Sequence, residues 1–297
     1  MTLSSRENNE ELYAIIERAR TLSLNDIIRQ TKVKEISEKE NHPQRNNTSH
    51  KKPLQKQSTF SFLPNELTRI SPFFVMSKFE MGHRPLEKRV CENSWGKMEI
   101  QGERLSIFDE GILLAILKLS LLKKSSSFST TINQILTILG TSPGRNTYHS
   151  VWSSVKRLGA TTISLYVKDE KKESFTHILA GGICDDKYNI TISINRFFGE
   201  MFLKGLITDI DIDFRSNLKG DISKALYRFY RSQPVNYEIH LQKLCNAINL
   251  DQSQKKFRLR EKINKALNEL KMNNFLAAGI INEKDHVVTK KGEGVKV

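Results

Sequence analysis

Cationic side chains are concentrated between Ser253 and Asn273, where the chain reads SQKKFRLREKINKALNELKMN. The cations of this run are Lys255, Lys256, Arg258, Arg260, Lys262 and Lys265. Arginine pairs bidentately with the edge of guanine, whereas lysine mostly neutralises phosphate. These residue types therefore suit the recognition of a polyanion such as double-stranded DNA, and the simpler interpretation is a solvated helix face.

Apolar residues recur through the same run at the spacing of one helix face. They are Phe257, Leu259, Ile263, Ala266, Leu267 and Leu270. This periodicity predicts a single helix over 253–273 with a buried apolar stripe. The side-chain oxygen of Asp251 or Ser253 can cap its N-terminus, which is the electropositive end of a helix. The cations are thus concentrated toward an end that suits anions.

The segments on either side of this helix indicate a winged helix-turn-helix. A short strand at 237–240 and a helix at about 241–248 come before it. An apolar strand at 276–281, turn-forming residues at 282–285 and a returning strand with Val287 and Val288 come after it. In that motif the second helix enters the major groove and the hairpin contacts the DNA backbone.

Another basic helix, the first of the two in chain order, is predicted from about Asn146 to Leu158. Its apolar stripe comprises Tyr148, Val151, Trp152, Val155 and Leu158. The side chains expected to face outward are Arg145, Asn146, His149, Ser150, Ser153, Lys156 and Arg157. A helix at about 130–139 precedes it, and strand-like runs at 161–167, 175–183 and 187–194 follow. A helix-turn-helix followed by a sheet therefore occurs twice, which predicts a structural repeat.

We therefore predict an α+β fold of two tandem winged-helix domains behind a flexible, partly helical N-terminal extension. The predicted boundaries are 1–58 for the polar extension, 60–205 for the first domain and 206–297 for the second, DNA-binding domain. The extension combines a short amphipathic helix at 12–19 with a polar stretch at 31–58 that lacks apolar periodicity. The predicted DNA-binding residues are Lys255, Lys256, Arg258 and Lys262 of the second basic helix, Arg145, Asn146, His149 and Lys156 of the first, and Lys284 of the hairpin turn.

Further elements are predicted inside the two domains. An extended pair runs from Val90 to Ile100. Asp109 caps an apolar helix that ends near Leu122 and is too short to span a bilayer. A helix at about 217–233 is stopped by Pro234.

The overall charge agrees with a polyanionic partner. The chain has 297 residues, a formal net charge of +14 and a pI of about 9.6. Such an excess of cations favours nucleic acid or an anionic membrane surface. Insertion into a membrane is not expected, because no apolar run approaches the roughly 18–20 residues that spanning needs. Cys91, Cys184 and Cys245 form no CxxC pair and the N-terminus shows no signal peptide, so we expect a protein of the reducing cytoplasm.

The sequence offers no catalytic constellation, and we expect no enzyme, no cofactor and no metal. No GxxxxGK[ST] motif occurs, and the pair Gly181-Gly182 fits a strand bulge better than a phosphate-binding loop. The carboxylates Asp209, Asp211 and Asp213 alternate along a segment that is expected to be extended. Such carboxylates can ligate a divalent ion, so a metal-dependent nuclease is one alternative function. No Glu or His nearby supports that alternative.

Motifs spread over about residues 60–290 resemble the plasmid replication initiators of the TrfA type. In the first half the matching residues are Leu63-Pro64-Asn65 with Arg69 and Phe73-Phe74, Ile100 to Leu105 with Asp109, Phe128 with Leu139-Gly140, Gly144-Arg145 with Tyr148, and Arg157 to Thr161. In the second half they are Pro234-Val235 with Leu241, Lys255-Lys256 with Arg258, and Ala266-Leu267 with Glu269-Leu270. The N-terminal 58 residues lie outside the resemblance.

The resemblance implies two winged-helix domains that bind repeated sites, called iterons, in a plasmid origin. It implies opening of adjacent AT-rich DNA, recruitment of the host initiator, helicase and helicase loader, and an equilibrium between homodimer and monomer. Some members bind the sliding clamp through a peptide just before the Leu-Pro-Asn motif. Here the corresponding stretch, Gln57 to Phe62, keeps a glutamine and two aromatic residues but lacks the usual leucines. A winged-helix transcriptional repressor is the main alternative, because it too needs a basic recognition helix.

Overall fold

The computed structural model of the chain describes residues 60–64, 67–68, 71–92, 96–168, 171–195, 198 and 207–293. The predicted extension 1–58, with its amphipathic helix and the first part of the clamp-binding stretch, lies outside the described residues. The end of that stretch is described, because Phe60 to Phe62 belong to the first strand.

The described residues form a mixed fold of helices and small sheets. The helices are α1 Lys78–Gly82, α2 Ile107–Lys123, α3 Ile132–Ile138, α4 Arg145–Ala160, α5 Ile212–Asn217, α6 Asp221–Arg231, α7 Leu241–Ala247 and α8 Lys256–Met272. The strands are β1 Phe60–Pro64, β2 Phe73–Phe74, β3 Leu86–Glu92, β4 Gly96–Glu103, β5 Leu105–Ser106, β6 Ser127–Thr131, β7 Thr162–Val167, β8 Lys172–His177, β9 Leu179–Cys184, β10 Asn189–Ile194, β11 Ile207–Asp211, β12 Asn236–His240, β13 Leu276–Ile281 and β14 His286–Lys291.

The strands are distributed over small sheets rather than one large sheet. In the first half, a four-stranded antiparallel sheet has the order β3-β4-β7-β8 and a three-stranded sheet has the order β6-β10-β9. In the second half, a three-stranded sheet has the order β12-β14-β13. Two short pairs, β2-β5 and β1-β11, complete the described strands. The winged-helix arrangement of each half stays a prediction.

Helix α2 is the centre of the first half, as its apolar composition predicts. Its residues from Ile107 to Leu117 are buried on every side of the helix, except for the half-buried Phe108. The predicted cap is wrong in one detail, because the N-cap residue is Ser106 and not Asp109. Ser106 accepts a hydrogen bond from the backbone of Asp109, and the Asp109 carboxylate accepts one from the backbone of Ser106. This reciprocal capping box uses two N–H groups that the helix itself leaves unpaired.

Two elements of the first half begin or break at positions that differ from the prediction. The helix predicted from residue 130 begins at Ile132, because Ser127–Thr131 pairs with β10 as strand β6. The single strand predicted at 175–183 is two strands, β8 and β9, on either side of the fully buried Ile178. They lie in different sheets because β8 pairs with β7 and β9 pairs with β10.

The helix predicted at 217–233 is found at Asp221–Arg231 as α6, and a separate short helix, α5, precedes it at Ile212–Asn217. The chain turns at Leu218 to Gly220, and Gly220 occupies the N-cap position of α6. The turn is held from a distance, because the carboxylate of Glu269 accepts hydrogen bonds from the backbone of Lys219 and the hydroxyl of Ser223. The helix therefore begins four residues later than predicted, and the carboxylate that holds its start lies fifty residues away in the sequence.

The two halves share one hydrophobic core. Strand β1 at the start of the first half pairs with β11 at the start of the second, with Phe60 opposite Asp211 and Leu63 opposite Thr208. The continuous set of buried apolar side chains includes residues of both halves. The division at 205/206 stays a prediction, and the described contacts join the two halves across it.

Candidate nucleic-acid interface

Helix α8 is the predicted second basic helix, and it begins three residues later than expected. Leu259, Ile263, Ala266, Leu267 and Leu270 are buried, as the periodicity predicts. The predicted caps are wrong: Lys255 occupies the N-cap position and no side chain caps the helix. The Asp251 carboxylate instead accepts from the backbone N–H of Ser253 at 2.9 Å and from its hydroxyl at 2.8 Å.

Phe257 does not belong to the buried stripe, contrary to the prediction. Its side chain is 60% exposed. Two residues along an α-helix rotate the chain by about 200°, so Phe257 and Leu259 point to nearly opposite sides. Phe257 lies on the outer ridge of α8, whose exposed members are Phe257, Glu261, Asn264 and Asn268 at spacings of four, three and four residues.

The cations of α8 are divided between two flanks of this ridge. Arg258, Lys262 and Lys265 follow each other at spacings of four and three residues, and all three are exposed. The guanidinium of Arg258 lies 5.9 Å from the ring centroid of Phe257. The ammonium of Lys262 donates to Oε1 of Gln254 at 2.6 Å. The other flank, with Lys256 and Arg260, faces the hairpin β13–β14.

Asp285 joins that second flank to the hairpin. Its carboxylate pairs with both Lys256 and Arg260. Arg260 also donates to the carbonyl oxygens of Ile281 and Asn282 at 3.2 Å. The Asp285 carbonyl accepts from the backbone N–H of Leu241, the first residue of α7, at 2.7 Å. Hydrogen bonding from Lys256, followed by that from Arg260, holds the pKa of Asp285 below its ordinary value.

Helices α7 and α8 and the hairpin β13–β14 are therefore joined at Asp285. Lys256 stays 69% exposed in spite of its partner, so it remains accessible to a ligand. Lys255 and Lys284 are also exposed, and Lys284 lies in the hairpin turn, as predicted. A groove of about 340 Å³ runs beside the start of α8 and is lined in part by Gln242, Gln252 and Gln254.

Helix α4 is the predicted first basic helix. Arg145, Asn146, His149 and Lys156 are exposed. Val151, Val155 and Leu158 are buried, and Tyr148 and Trp152 are partly buried against the same core. Spacings of four and eleven residues bring Arg145, His149 and Lys156 onto one face of the helix.

Arg157 does not face outward, contrary to the prediction. It donates to the buried carboxylate of Asp109 at 2.6 Å, and Arg84 donates to the second oxygen of that carboxylate at 3.0 Å. Burial raises the pKa of Asp109, but the hydrogen bond and positive charge of Arg157 outweigh it and hold that pKa below its ordinary value. Arg157 thus joins the C-terminal end of α4 to the start of α2.

A buried charge cluster connects the half that carries α4 to the half that carries α8. Glu110 of α2 is fully buried and accepts from Arg215 at 3.1 Å and also from Arg228. Arg215 donates in addition to the carbonyl of Ile107 at 2.9 Å. A buried carboxylate of this kind is stable only while its cationic partners stay in place. The cluster therefore resists a change in the angle between the halves.

The turn before α8 is held by the first half as well. The side-chain amide of Asn249 donates to the carbonyls of Ser71 at 2.6 Å and Phe73 at 3.0 Å. The backbone N–H of Val75 donates to the carbonyl of Asn249 at 3.3 Å. The start of the basic helix is thus positioned by contacts with residues that precede it by more than 170 positions.

The three alternating carboxylates considered for a nuclease do not form one face. Asp209 pairs with Arg231, and Asp211 caps α5 by accepting from the backbone of Phe214 at 3.0 Å. Asp213 lies inside α5, so the extended segment predicted for it is wrong. In the part of the chain that the structure describes, no three His, Cys, Asp or Glu side chains are placed to hold a metal ion. Within the same residues, no helix is both long enough and apolar enough to cross a bilayer.

Comparisons with known proteins show a fold and not a family. No family model matches the chain, and neither does any curated protein, so the resemblance to the TrfA-type initiators stays a prediction. A crystal structure of selenomethionine derivatives of domains 2 and 3 of RctB matches with a TM-score of 0.56 at 15% identity, covering 77% of this chain and 98% of that chain. A second crystal structure of RctB domains 2–3 matches with a TM-score of 0.51 at 16% identity, covering 78% of this chain and 98% of that chain. The chain therefore has a fold similar to that of RctB domains 2 and 3.

Proposed function

We propose that this protein is a replication initiator that binds repeated sites in a plasmid origin through two winged-helix domains. The observation that carries the proposal is the presentation of two exposed basic helices, α4 and α8, by one continuous core. The fold supports it, because RctB is a replication initiator of Vibrio chromosome II. The excess of cations over the whole chain, a net charge of +14, suits the same partner.

In this proposal α8 lies in the major groove of the origin DNA. Its outer ridge faces the base edges, and Arg258, with Lys262 on the same flank, reaches guanine and phosphate. Lys284 in the hairpin turn contacts the DNA backbone on the other side. Helix α4 brings Arg145, Asn146, His149 and Lys156 to the duplex one groove further along. Two helices on one core would contact two successive major-groove faces of a direct repeat.

Binding of this kind supplies the energy for the steps that follow. Bending and opening neighbouring AT-rich DNA costs on the order of a few kcal/mol, which contacts made along the repeats can offset. Recruitment of the host initiator, helicase and loader, a homodimer that dissociates to a monomer, and a bacterial cytoplasmic location belong to the same proposal. Clamp binding through Gln57 to Phe62 is disfavoured, because Phe60 and Phe62 are held in β1 by β11.

Direct repeats in the DNA beside the gene provide the test. A duplex with such repeats should shift the full chain in a mobility assay at physiological salt, whereas a scrambled duplex of equal length should not. If about six phosphates are neutralised, the logarithm of the binding constant should fall with a slope of roughly −5 against the logarithm of the salt concentration. Binding that does not depend on salt would contradict the proposed interface.

Two further assays separate the alternatives. A plasmid that carries the gene with its repeats, and no other initiator gene, should replicate in a permissive host. Specific binding to the repeats without replication would indicate the transcriptional repressor. Supercoiled DNA incubated with the protein and magnesium should stay supercoiled, and nicking that depends on magnesium would support the nuclease.

A further inference from the structure

The largest unexplained apolar group at the candidate interface is the ring of Phe257. A phenyl ring that is 60% exposed has no role in the core, and burial of its free face by a ligand is favourable in proportion to the apolar area removed from water. Single exposed apolar residues are common on protein surfaces, so exposure alone does not identify Phe257 as a contact residue. Its charged neighbours and its position at the start of α8 do.

Phe257 stands between two cations at the start of α8. Lys256 and Arg258 are both exposed, and the Arg258 guanidinium lies over the ring at 5.9 Å from its centroid. An apolar protein surface is a poor partner for such a site, because it would desolvate the Arg258 guanidinium without pairing it. The ligand that fits must present an apolar group within a strongly anionic surface. In the major groove of DNA, the C5-methyl group of thymine is that group.

We propose that Phe257 is a specificity-determining residue that contacts a thymine methyl group in the site read by α8. The proposal rests on the proposed function, since it places α8 in the major groove. Phe257 is the second residue of the helix, and the end that carries the first residues of a recognition helix lies nearest the base edges. Asn264 and Asn268, seven and eleven residues further along the same outer ridge, are the members of that ridge with the donor and acceptor pair that suits adenine.

The test removes one thymine methyl group at a time from the DNA. High-affinity duplexes are first selected from a random pool with the full chain, and each thymine of the selected site is then replaced by deoxyuridine, which lacks only the methyl group. Loss of one buried methyl group is worth about 0.8 kcal/mol, so binding should weaken about fourfold at one thymine position. Phe257→Ala should bind the thymine and uracil versions of that site equally, and Phe257→Leu should retain part of the discrimination.

Controls keep a structural effect apart from loss of the contact. Since Phe257 is exposed, Phe257→Ala should keep the Tm of the wild type. Met272→Ala removes another exposed apolar side chain, 80% exposed, at the far end of the same helix, and should leave the fourfold discrimination unchanged.

The contact is ruled out if no thymine position responds to deoxyuridine, or if Phe257→Ala still distinguishes thymine from uracil. The contact is also ruled out if Phe257→Ala weakens binding to the thymine and uracil versions by the same factor. That result would show that Phe257 acts on the helix and not on the methyl group. A pool from which no sequence is enriched would instead contradict the proposed function itself.

Discussion

The two basic helices are similar in length and amphipathic pattern, but they are held in different ways. In α4 the one cation that is bound to a carboxylate, Arg157, lies at the C-terminal end and is directed into the core. Among the described residues, Arg145 and Lys156 have no ion-pair partner. In α8 the paired cations, Lys256 and Arg260, lie at the N-terminal end, and their carboxylate comes from the hairpin. In the second half the helix and hairpin are therefore joined by ion pairs, whereas in the first half they are joined by packing, with the rings of Tyr148 on α4 and Tyr188 in the β9–β10 turn 4.7 Å apart.

The turns of the hairpins that follow the two helices also differ in the charges that they expose. The turn between β9 and β10 exposes two carboxylates, Asp185 and Asp186, and one lysine, Lys187. The turn between β13 and β14 exposes one carboxylate, Glu283, and one lysine, Lys284, and its one aspartate, Asp285, is occupied by Lys256 and Arg260. Because only the second hairpin is tied to its helix by ion pairs and has no excess of exposed carboxylates, we expect the second half to hold the duplex in one orientation and to supply most of the sequence specificity. The first half would then supply affinity that depends little on sequence.

The largest effect is expected from separating the halves. Glu110→Ala leaves Arg215 and Arg228 buried without their carboxylate, which should lower the free energy of unfolding by about 3–5 kcal/mol. Denaturant titration measures this loss, and the exposed Glu173→Ala on β8 serves as a matched control that should change it by less than about 0.5 kcal/mol. A Glu110→Ala variant as stable as the control would mean that the buried cluster does not hold the halves together.

The two helices can be compared directly by matched arginine substitutions. Arg258→Ala should weaken binding to the selected site by about 1–3 kcal/mol and relax the preference at one or two base pairs. Arg145→Ala should weaken binding to selected and scrambled duplexes alike, and should reduce the salt slope by about one. Titrations at several salt concentrations measure both quantities, and the opposite pattern would reverse the assignment of specificity to the second half.

The attachment of the second hairpin should also show in the pH dependence of stability. Lys291, at the end of β14, is buried and donates to the carbonyls of Arg231 and, at 2.6 Å, Gln233. Burial, followed by the nearby charge of Arg231, lowers the pKa of Lys291 to about 8 from the ordinary 10.5. Between these two pH values the unfolded chain binds the extra proton, so the free energy of unfolding should rise with pH.

Allowing for partial screening by solvent, the rise from this lysine should be about 1–2 kcal/mol between pH 8 and 10. Lys291→Met has no proton to release there, so its free energy of unfolding should lack this rise, whatever its absolute stability. Above pH 10 the measurement is less direct, because burial raises the pKa of Tyr227 and of Tyr230 and makes stability fall as the unfolded tyrosines ionise. Equal pH profiles for wild type and variant between pH 8 and 10 would contradict the assignment.

The smallest effect is expected from loosening the contact between α8 and the hairpin β13–β14 without unfolding either. Asp285→Asn keeps the size of the side chain but releases the charges of Lys256 and Arg260. Affinity for scrambled DNA should rise because two more cations are free, and the ratio of selected to scrambled affinity should fall several-fold because the hairpin is less firmly held. Asp185→Asn, in the corresponding turn of the first half, should leave that ratio unchanged. If the two variants behave alike, the helices are held in equivalent ways and the comparison fails.

Local pattern was a good guide to both candidate helices. The helix predicted at 253–273 is found at Lys256–Met272, and the one predicted at about 146–158 is found at Arg145–Ala160. The hairpin after α8 was also predicted, because its strands and turn are contiguous in sequence. The exposed position of Phe257 was available from helix geometry too. The prediction missed it because it grouped apolar residues without counting the rotation between neighbours.

Other features carried no local signal. The turn at Leu218 to Gly220 is held by Glu269. Arg157 is directed into the core because it pairs with Asp109, and Arg260 of α8 faces the hairpin because it pairs with Asp285. In each case a charged side chain that looks solvent-exposed in sequence meets a partner brought to it by the fold. A count of charges therefore overestimated how many cations are free to bind an anionic ligand.

By itself, the amino-acid sequence determined where the basic helices and the second hairpin form and that the protein carries a large positive charge. Periodicity and composition suffice for this because they act over a few neighbouring residues. Only the tertiary structure decided which cations remain available and how the two helices are oriented. Those outcomes depend on buried pairs such as Glu110 with Arg228, whose partners are 118 positions apart and lose their hydration together only when the whole core closes.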